Sequence, residues 1–184
     1  MQLSNGEKLI IMMLADISKA LKVDGDINVD FVSDAITSGN TWALQNKYTG
    51  VFHGEEASDP VVRKVHDVLT AWSNIERSVA ELSPGDRQRL EVEAAPFGKN
   101  PRFPGFDGNN ESEYMSAAAF MIDKLGYYED FADRGHLNSH SPTVEIFDRM
   151  KPAYDEAWEE SGFESLNVDQ LIKILNSKKH PDSR

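Results

Sequence analysis

From Val61 to Leu82, large apolar residues recur at alternating intervals of four and three: Val61, Val65, Val68, Trp72, Ile75, Val79 and Leu82. Only an α-helix gathers that spacing onto one side, so this stretch constrains the fold more than any other. Asp59 suits the N-cap and Pro60 the first helical position, where a missing N–H costs nothing. Ser83, Pro84 and Gly85 supply the stop. Val62 and Leu69 widen the stripe to the width of a bundle helix. A seam of this kind faces either a helical core or a subunit interface.

The remaining chain carries the same periodicity in shorter runs. Ser4 and Glu7 form a capping box ahead of Leu9, Ile10, Met13, Leu14, Ile17 and Leu21, which share one helical face. Asp24, Gly25 and Asp26 end that helix. Asn28 caps a second helix with Phe31, Val32, Ala35 and Ile36, and Asn40 or Thr41 starts a third with Trp42, Leu44 and Tyr48. Ser83 opens a short helix ending near Ala94. Asn110 with Glu113 starts another, with Tyr114, Ala118, Met121, Ile122 and Leu125 inward. Ser141 and Pro142 begin a helix carrying Val144, Phe147, Met150, Tyr154 and Trp158, with a kink or break predicted at Pro152. Asn167 and Gln170 cap the last helix, with Val168, Leu171, Ile172 and Leu175 inward, and a polar tail follows Ser177. Between residues 95 and 108, Pro96, Gly98, Pro101, Pro104, Gly105 and Gly108 forbid regular structure. Phe97, Phe103 and Phe106 among them predict a strap docked on a core.

The predicted fold is therefore an all-α multihelical bundle, one compact unit overall. It divides into an N-terminal three-helix region (1–57), a central long helix with its short successor (58–94), and a strap with C-terminal helices (95–184). A chain of 184 residues, 40% of them hydrophobic, can bury a real core.

The 19 basic residues stand against 31 acidic ones, giving a net charge of -12. A field of that sign disfavours nonspecific binding to nucleic acid. No cysteine is present, which excludes disulfides, thiolate nucleophiles and Cys-based metal sites. The longest apolar run, Leu9 to Ala15, is far too short to span a bilayer and lacks the flanks of a signal peptide. A cytoplasmic protein without membrane segments is expected.

Catalytic and ligand motifs fail one by one. His136 and His140 have the i, i+4 spacing of zinc ligands, but Gly135, Ser139, Ser141 and Pro142 surround them, so no helix enforces that geometry. The calcium-loop pattern beginning at Asp24 has Val29 and Ala35 at the obligatory glycine and glutamate positions; the one beginning at Asp107 has Ser112 and Ala118 there. Gly98-Lys99 is followed by Asn100 and preceded by Glu93 where a phosphate-binding loop needs a hydroxyl and a glycine. Phe31 to Tyr48 has the outline of a helix-turn-helix, with Thr41, Gln45, Asn46 and Lys47 available to a groove, but only Lys47 is basic. No cofactor is implied.

Four stretches resemble the YfbU family of bacterial proteins. They are LSNGEKLIIMM at the N-terminus, SGNTWALQNKY, VHDVLTAWSNIERS, and FPGFDGNNESEYMSAAAFMI continuing through NSHSPTVEIFDRM. The likeness is strongest from Phe106 to Met150. It implies a multihelical fold, a bacterial cytoplasmic setting and self-association, and no reaction. The segment AAPFGKNPRF reads as an extension relative to the family.

The chain reads most simply as a self-associating interaction or regulatory protein without catalysis, forming homo-oligomers and meeting a protein partner of unknown identity. Its candidate binding surface comprises Phe106, Asp107, Tyr127, His136, Asn138 and His140, where two irregular segments flank one helix. Val61, Val65, Val68, Trp72, Ile75 and Val79 form the core or oligomer seam. One alternative is a hydrolase-like site in which Asp107 orients His136 or His140 as general base. A second is a helix-turn-helix-type nucleic-acid binder.

Overall fold

A computed structural model describes residues 3–52, 58–135 and 137–179. The described residues form nine α-helices and one 3-10 turn; they contain no strand, only an isolated parallel bridge between Phe106 and Asn138. The protein is all-α. It parts into two compact units, Met1–Glu56 and Ala57–Arg184.

The first unit holds α1 (Asn5–Leu21), α2 (Val29–Thr37), α3 (Trp42–Lys47) and α4 (Thr49–Phe52). Ser4 caps α1: its hydroxyl accepts the Glu7 N–H at 3.3 Å, and the Glu7 carboxylate takes the Ser4 N–H at 2.7 Å. Asn28 caps α2 by accepting the Phe31 N–H at 2.9 Å. Its own N–H donates to the Tyr48 hydroxyl at 2.9 Å, and Tyr48 meets Phe31 edge-on. Those two contacts tie α2 to the end of α3. The short α4 is a fourth helix where three were predicted. Its sequence offers only Thr49, Gly50, Val51 and Phe52, too few residues for a periodic signal.

Burial in this unit is slight. Its buried apolar side chains among the described residues are Ala15, Ala35, Ile36 and Leu44. The apolar face of α1 points outward, with Leu9, Ile10, Met13, Leu14, Ile17 and Leu21 between 52% and 71% exposed.

The second unit is organised around α5 (Asp59–Glu81). Its N-cap is Ser58, one residue earlier than predicted, so Pro60 occupies the second helical position and loses nothing by it. The seam residues Val61, Val65, Val68, Trp72, Ile75 and Val79 are all buried in the unit's core, together with Leu69 and Ala71. Around it lie α6 (Pro84–Glu93), α7 (Ser112–Asp123), α8 (Val144–Glu160) and α9 (Val168–Asn176). Helix α5 packs on α7 and α9, and α9 also packs on α6 and α8. Capping boxes and hydroxyl caps set these starts, as at Asn167 with Gln170 and at Ser83, whose hydroxyl accepts the Asp86 N–H.

Several local expectations are corrected. The N-cap of α7 is Glu111, not Asn110, and α8 begins at Val144 after Thr143, two residues beyond the predicted start. Helix α8 runs through Pro152 unbroken. Pro152 and Asp148, the residue four before it whose carbonyl loses an N–H partner, are both exposed. Leu125 is half exposed instead of inward, because α7 ends at Asp123 and the chain turns at Gly126 with φ 66°. On α9, Ile174 is fully buried while Ile172 is only partly so. Beyond Ser177, Lys178 lies over the rings of Trp72 and Phe97 at 5.0 and 4.9 Å, and burial pushes its ammonium pKa down.

The strap docks through its aromatic residues. Phe103 and Phe106 are buried and meet edge-on at 5.4 Å between centroids, and Phe103 also contacts Trp72 and Phe131. Gly98 passes so close to α6 that a Cβ there would lie 2.0 Å from the Leu90 carbonyl oxygen. Gly105 adopts φ 92° and would collide with the Leu137 carbonyl at 2.2 Å, so only glycine fits.

Candidate functional site

The strap and the segment before α8 meet at the bridge between Phe106 and Asn138. Phe106 N–H donates to the Leu137 carbonyl at 3.0 Å, and Ser139 N–H to the Phe106 carbonyl at 3.1 Å. The Asn138 side-chain oxygen accepts the N–H groups of Gly108 at 3.1 Å and His140 at 3.0 Å. The Asp107 carboxylate accepts Asn109 N–H at 2.9 Å and Asn110 Nδ2 at 2.5 Å. These bonds, the Asn110 amide foremost, hold its pKa below the ordinary carboxylate value. Beside it, the Glu111 carboxylate accepts the N–H groups of Asp107, Thr143 and Val144 and the Thr143 hydroxyl. Glu111 thereby satisfies the open N-terminus of α8 from another segment.

Phe106, Asp107 and Asn138 are thus brought together, and the Asp107 carboxylate and Asn138 side-chain oxygen are engaged by neighbouring backbone N–H groups and, for Asp107, the Asn110 amide. Phe106 and Asp107 are buried, whereas His140 is exposed at φ 55°. His136 lies outside the described residues. Tyr127, half exposed, sits elsewhere, with its ring 6.1 Å from that of His66.

The helix-turn-helix outline is present as α2 and α3, but α3 has only six residues. Lys47, its one basic residue, folds back over the Phe31 ring at 4.0 Å.

A richer polar site lies along the flank of α5 that the seam leaves free. His66, Thr70, Ser73, Asn74 and Arg77 follow one another at helical spacing, facing the segment from Tyr128 to Arg134. The Tyr128 hydroxyl lies 2.9 Å from both His66 Nδ1 and Thr70 Oγ1, with the Tyr128 backbone in the left-handed region at φ 55°. Ser73 donates to Asp130 Oδ2 at 2.6 Å, and Arg77 Nη2 reaches the same oxygen at 3.2 Å. The Ser73 hydroxyl, followed by the Arg77 guanidinium, holds the Asp130 carboxyl below its ordinary pKa. Cavities of about 410, 430 and 290 Å³ open along this flank, and Arg77 lines all three.

In sequence this flank shows only as a second, polar stripe on α5, which the seam's apolar rhythm masks. The facing residues come from distant segments and leave no local pattern.

Among the described residues no helix is long and apolar enough to cross a membrane. The chain is similar to the UPF0304 protein MJECS11 of Methanocaldococcus jannaschii, 25% identical over 117 residues. That match covers 61% of this chain and 65% of the archaeal protein, so the likeness is not confined to bacteria. The pattern of the YfbU domain matches residues 1–177, and the chain belongs to the YfbU family.

Proposed function

We propose that this protein is a self-associating interaction protein that works without catalysis, and that the outward face of α1 joins it to a second copy of itself. The carrying observation is the mismatch in the first unit. Six large apolar side chains on α1 are more than half exposed, while four apolar residues make up the unit's buried interior among the described residues. A segment of this size with so small a core needs further burial to hold its helices.

The area suits a homodimer. Six such side chains present roughly 600 Å² per copy, so pairing would bury about 1,200 Å² in total, the lower end of a stable interface. A two-fold axis lets one stripe meet its own copy without a second complementary surface. A cytoplasmic setting and a further protein partner are compatible with this arrangement and form the wider part of the proposal.

Sedimentation of the full chain tests the proposal against the variant M13E/I17E, whose glutamates keep helix propensity while charging the stripe. The expected outcome is a wild-type mass of two chains or more and a single-chain mass for the variant, with unchanged helical circular dichroism. A wild-type protein that sediments as one chain at high micromolar concentration rejects it.

A further inference from the structure

Half of the arginines in this acidic chain surround one cavity. Arg77 comes from α5, Arg87 from α6, Arg102 from the strap and Arg134 from the segment after the 3-10 turn Glu129–Phe131, and all four line the space of about 410 Å³. The chain has eight arginines and eleven lysines, and no lysine lines this cavity. Among the described residues two carboxylates, Glu76 and Asp130, stand with them. Four guanidiniums against two carboxylates leave a surplus of two positive charges, in a protein whose net charge is -12.

The two carboxylates act as holders. Glu76 fixes Arg134 through two hydrogen bonds at 2.9 and 2.7 Å, and Asp130 fixes Arg77 at 3.2 Å. Each pairing uses one edge of the guanidinium fork and leaves further N–H donors for another oxyanion. Arg87 has only a distant contact to Glu91 at 3.9 Å and a long bond to the Val79 carbonyl at 3.4 Å. Arg102, exposed on the strap, has no ion-pair or hydrogen-bond partner among the described residues. Asn100 adds a neutral hydrogen-bonding group to the wall, while the Ser73 hydroxyl proton is committed to Asp130.

We infer that this cavity is a binding site for a small phosphoryl dianion, either free phosphate or the phosphate monoester of a small polar metabolite. The charge surplus matches the roughly two negative charges of a phosphate monoester near neutral pH. Planar guanidiniums suit the tetrahedral oxygens through paired donors, which an ammonium group does not offer. The cavity is of small-molecule size. Among the described residues its wall holds Val79, Ala80 and Pro101 but no aromatic ring for a nucleobase to stack on. The strongly acidic remainder of the chain repels a long polyanion while leaving a small one free to enter.

Titration calorimetry of the full chain in phosphate-free buffer tests the site, with inorganic phosphate, glucose 6-phosphate, glucose and malonate as probes. One phosphoryl probe is expected to saturate a single site per chain, while glucose gives no binding and malonate binds more weakly. Tighter binding of glucose 6-phosphate assigns the site to a monoester, and tighter binding of inorganic phosphate assigns it to the free ion. R102Q removes a side chain the fold does not use and is expected to weaken binding about tenfold, one charge-assisted contact's worth. R63Q, on an exposed arginine outside the cavity, is expected to leave affinity unchanged. Absence of binding by both phosphoryl probes overturns the inference, as does malonate binding equally well or R102Q binding like wild type.

Discussion

Arg134 closes both terminal nitrogens of its guanidinium on the carboxylate of Glu76, at 2.9 and 2.7 Å, with both side chains largely withdrawn from water. Glu76 Oε1 also accepts the Phe103 N–H at 2.7 Å. One carboxylate on α5 thus anchors the strap by its backbone and a downstream segment by its arginine. A planar fork meeting a carboxylate in this way is the stronger kind of ion pair.

Removing either partner therefore strands the other, and the costs differ. E76A leaves three N–H donors, two on Arg134 and one on Phe103, without an acceptor and is expected to lower stability by about 3 kcal/mol; R134A strands one carboxylate that still binds Phe103 and should cost about 2 kcal/mol. The double variant should cost less than the sum, since each single change already abolishes the shared interaction. Urea midpoints for the four proteins measure the coupling. Strict additivity would show that the pair contributes nothing.

Glu111 leads to a second expectation. Its carboxylate, buried between the strap and α8, accepts the Thr143 and Val144 N–H groups at 2.7 and 2.8 Å, and the Asp107 N–H at 2.9 Å. E111A should destabilise the second unit by about 3 kcal/mol, because several buried N–H groups lose their acceptor together. E111Q keeps the shape but turns an N–H₂ toward one set of donors, so it should recover only part of that loss. If E111Q equals wild type in thermal unfolding, the carboxylate is not acting as the cap of α8.

The parts of this architecture that sequence revealed are those written in short-range spacing. The seam of α5 and the capping boxes at Ser4 and Asn167 depend on neighbours three or four residues apart, and all appear where the pattern places them. The start of α8 departs from the local pattern because Ser141 and Pro142 look like a cap, while the actual acceptor, Glu111, arrives from a distant segment. Amphipathic rhythm on α1 was legible, but rhythm does not say whether the face meets the chain's own core. Within the first unit, burial says that it does not. Of the surface chosen from sequence, Phe106, Asp107 and Asn138 do converge, through backbone bonds that fasten the strap. The arginine cavity was invisible because its four members lie on four segments with no repeating interval.

The Asp130 carboxyl, bonded by Ser73 and Arg77, is more acidic in the folded protein than in the unfolded chain. The folded state thus binds this proton less readily, and the resulting stabilisation is present above the ordinary carboxylate pKa. It is lost as pH falls through the depressed folded value. D130N is accordingly expected to be less stable than wild type at neutral pH and to converge with it in acid. S73A should move the Asp130 titration, followed by carboxyl NMR, back toward the ordinary range. An Asp130 titration unmoved by S73A would mean that the hydroxyl does not hold the carboxylate.

Lys178 has the opposite balance. Burial against Trp72 and Phe97 disfavours its ammonium form, so its folded pKa lies below that of the unfolded chain. Between those two values the unfolded chain binds the proton and the folded protein does not, so stability gains from this residue as pH rises through that window. Wild type and K178M should therefore diverge with alkalinity in a defined sense. The difference in unfolding free energy, wild type minus variant, grows from pH 7 toward the ordinary lysine pKa and then levels off. Chemical denaturation of both proteins at several alkaline pH values isolates this residue from the tyrosines common to both. A difference that stays flat with pH would place the Lys178 amine in water, away from the two rings.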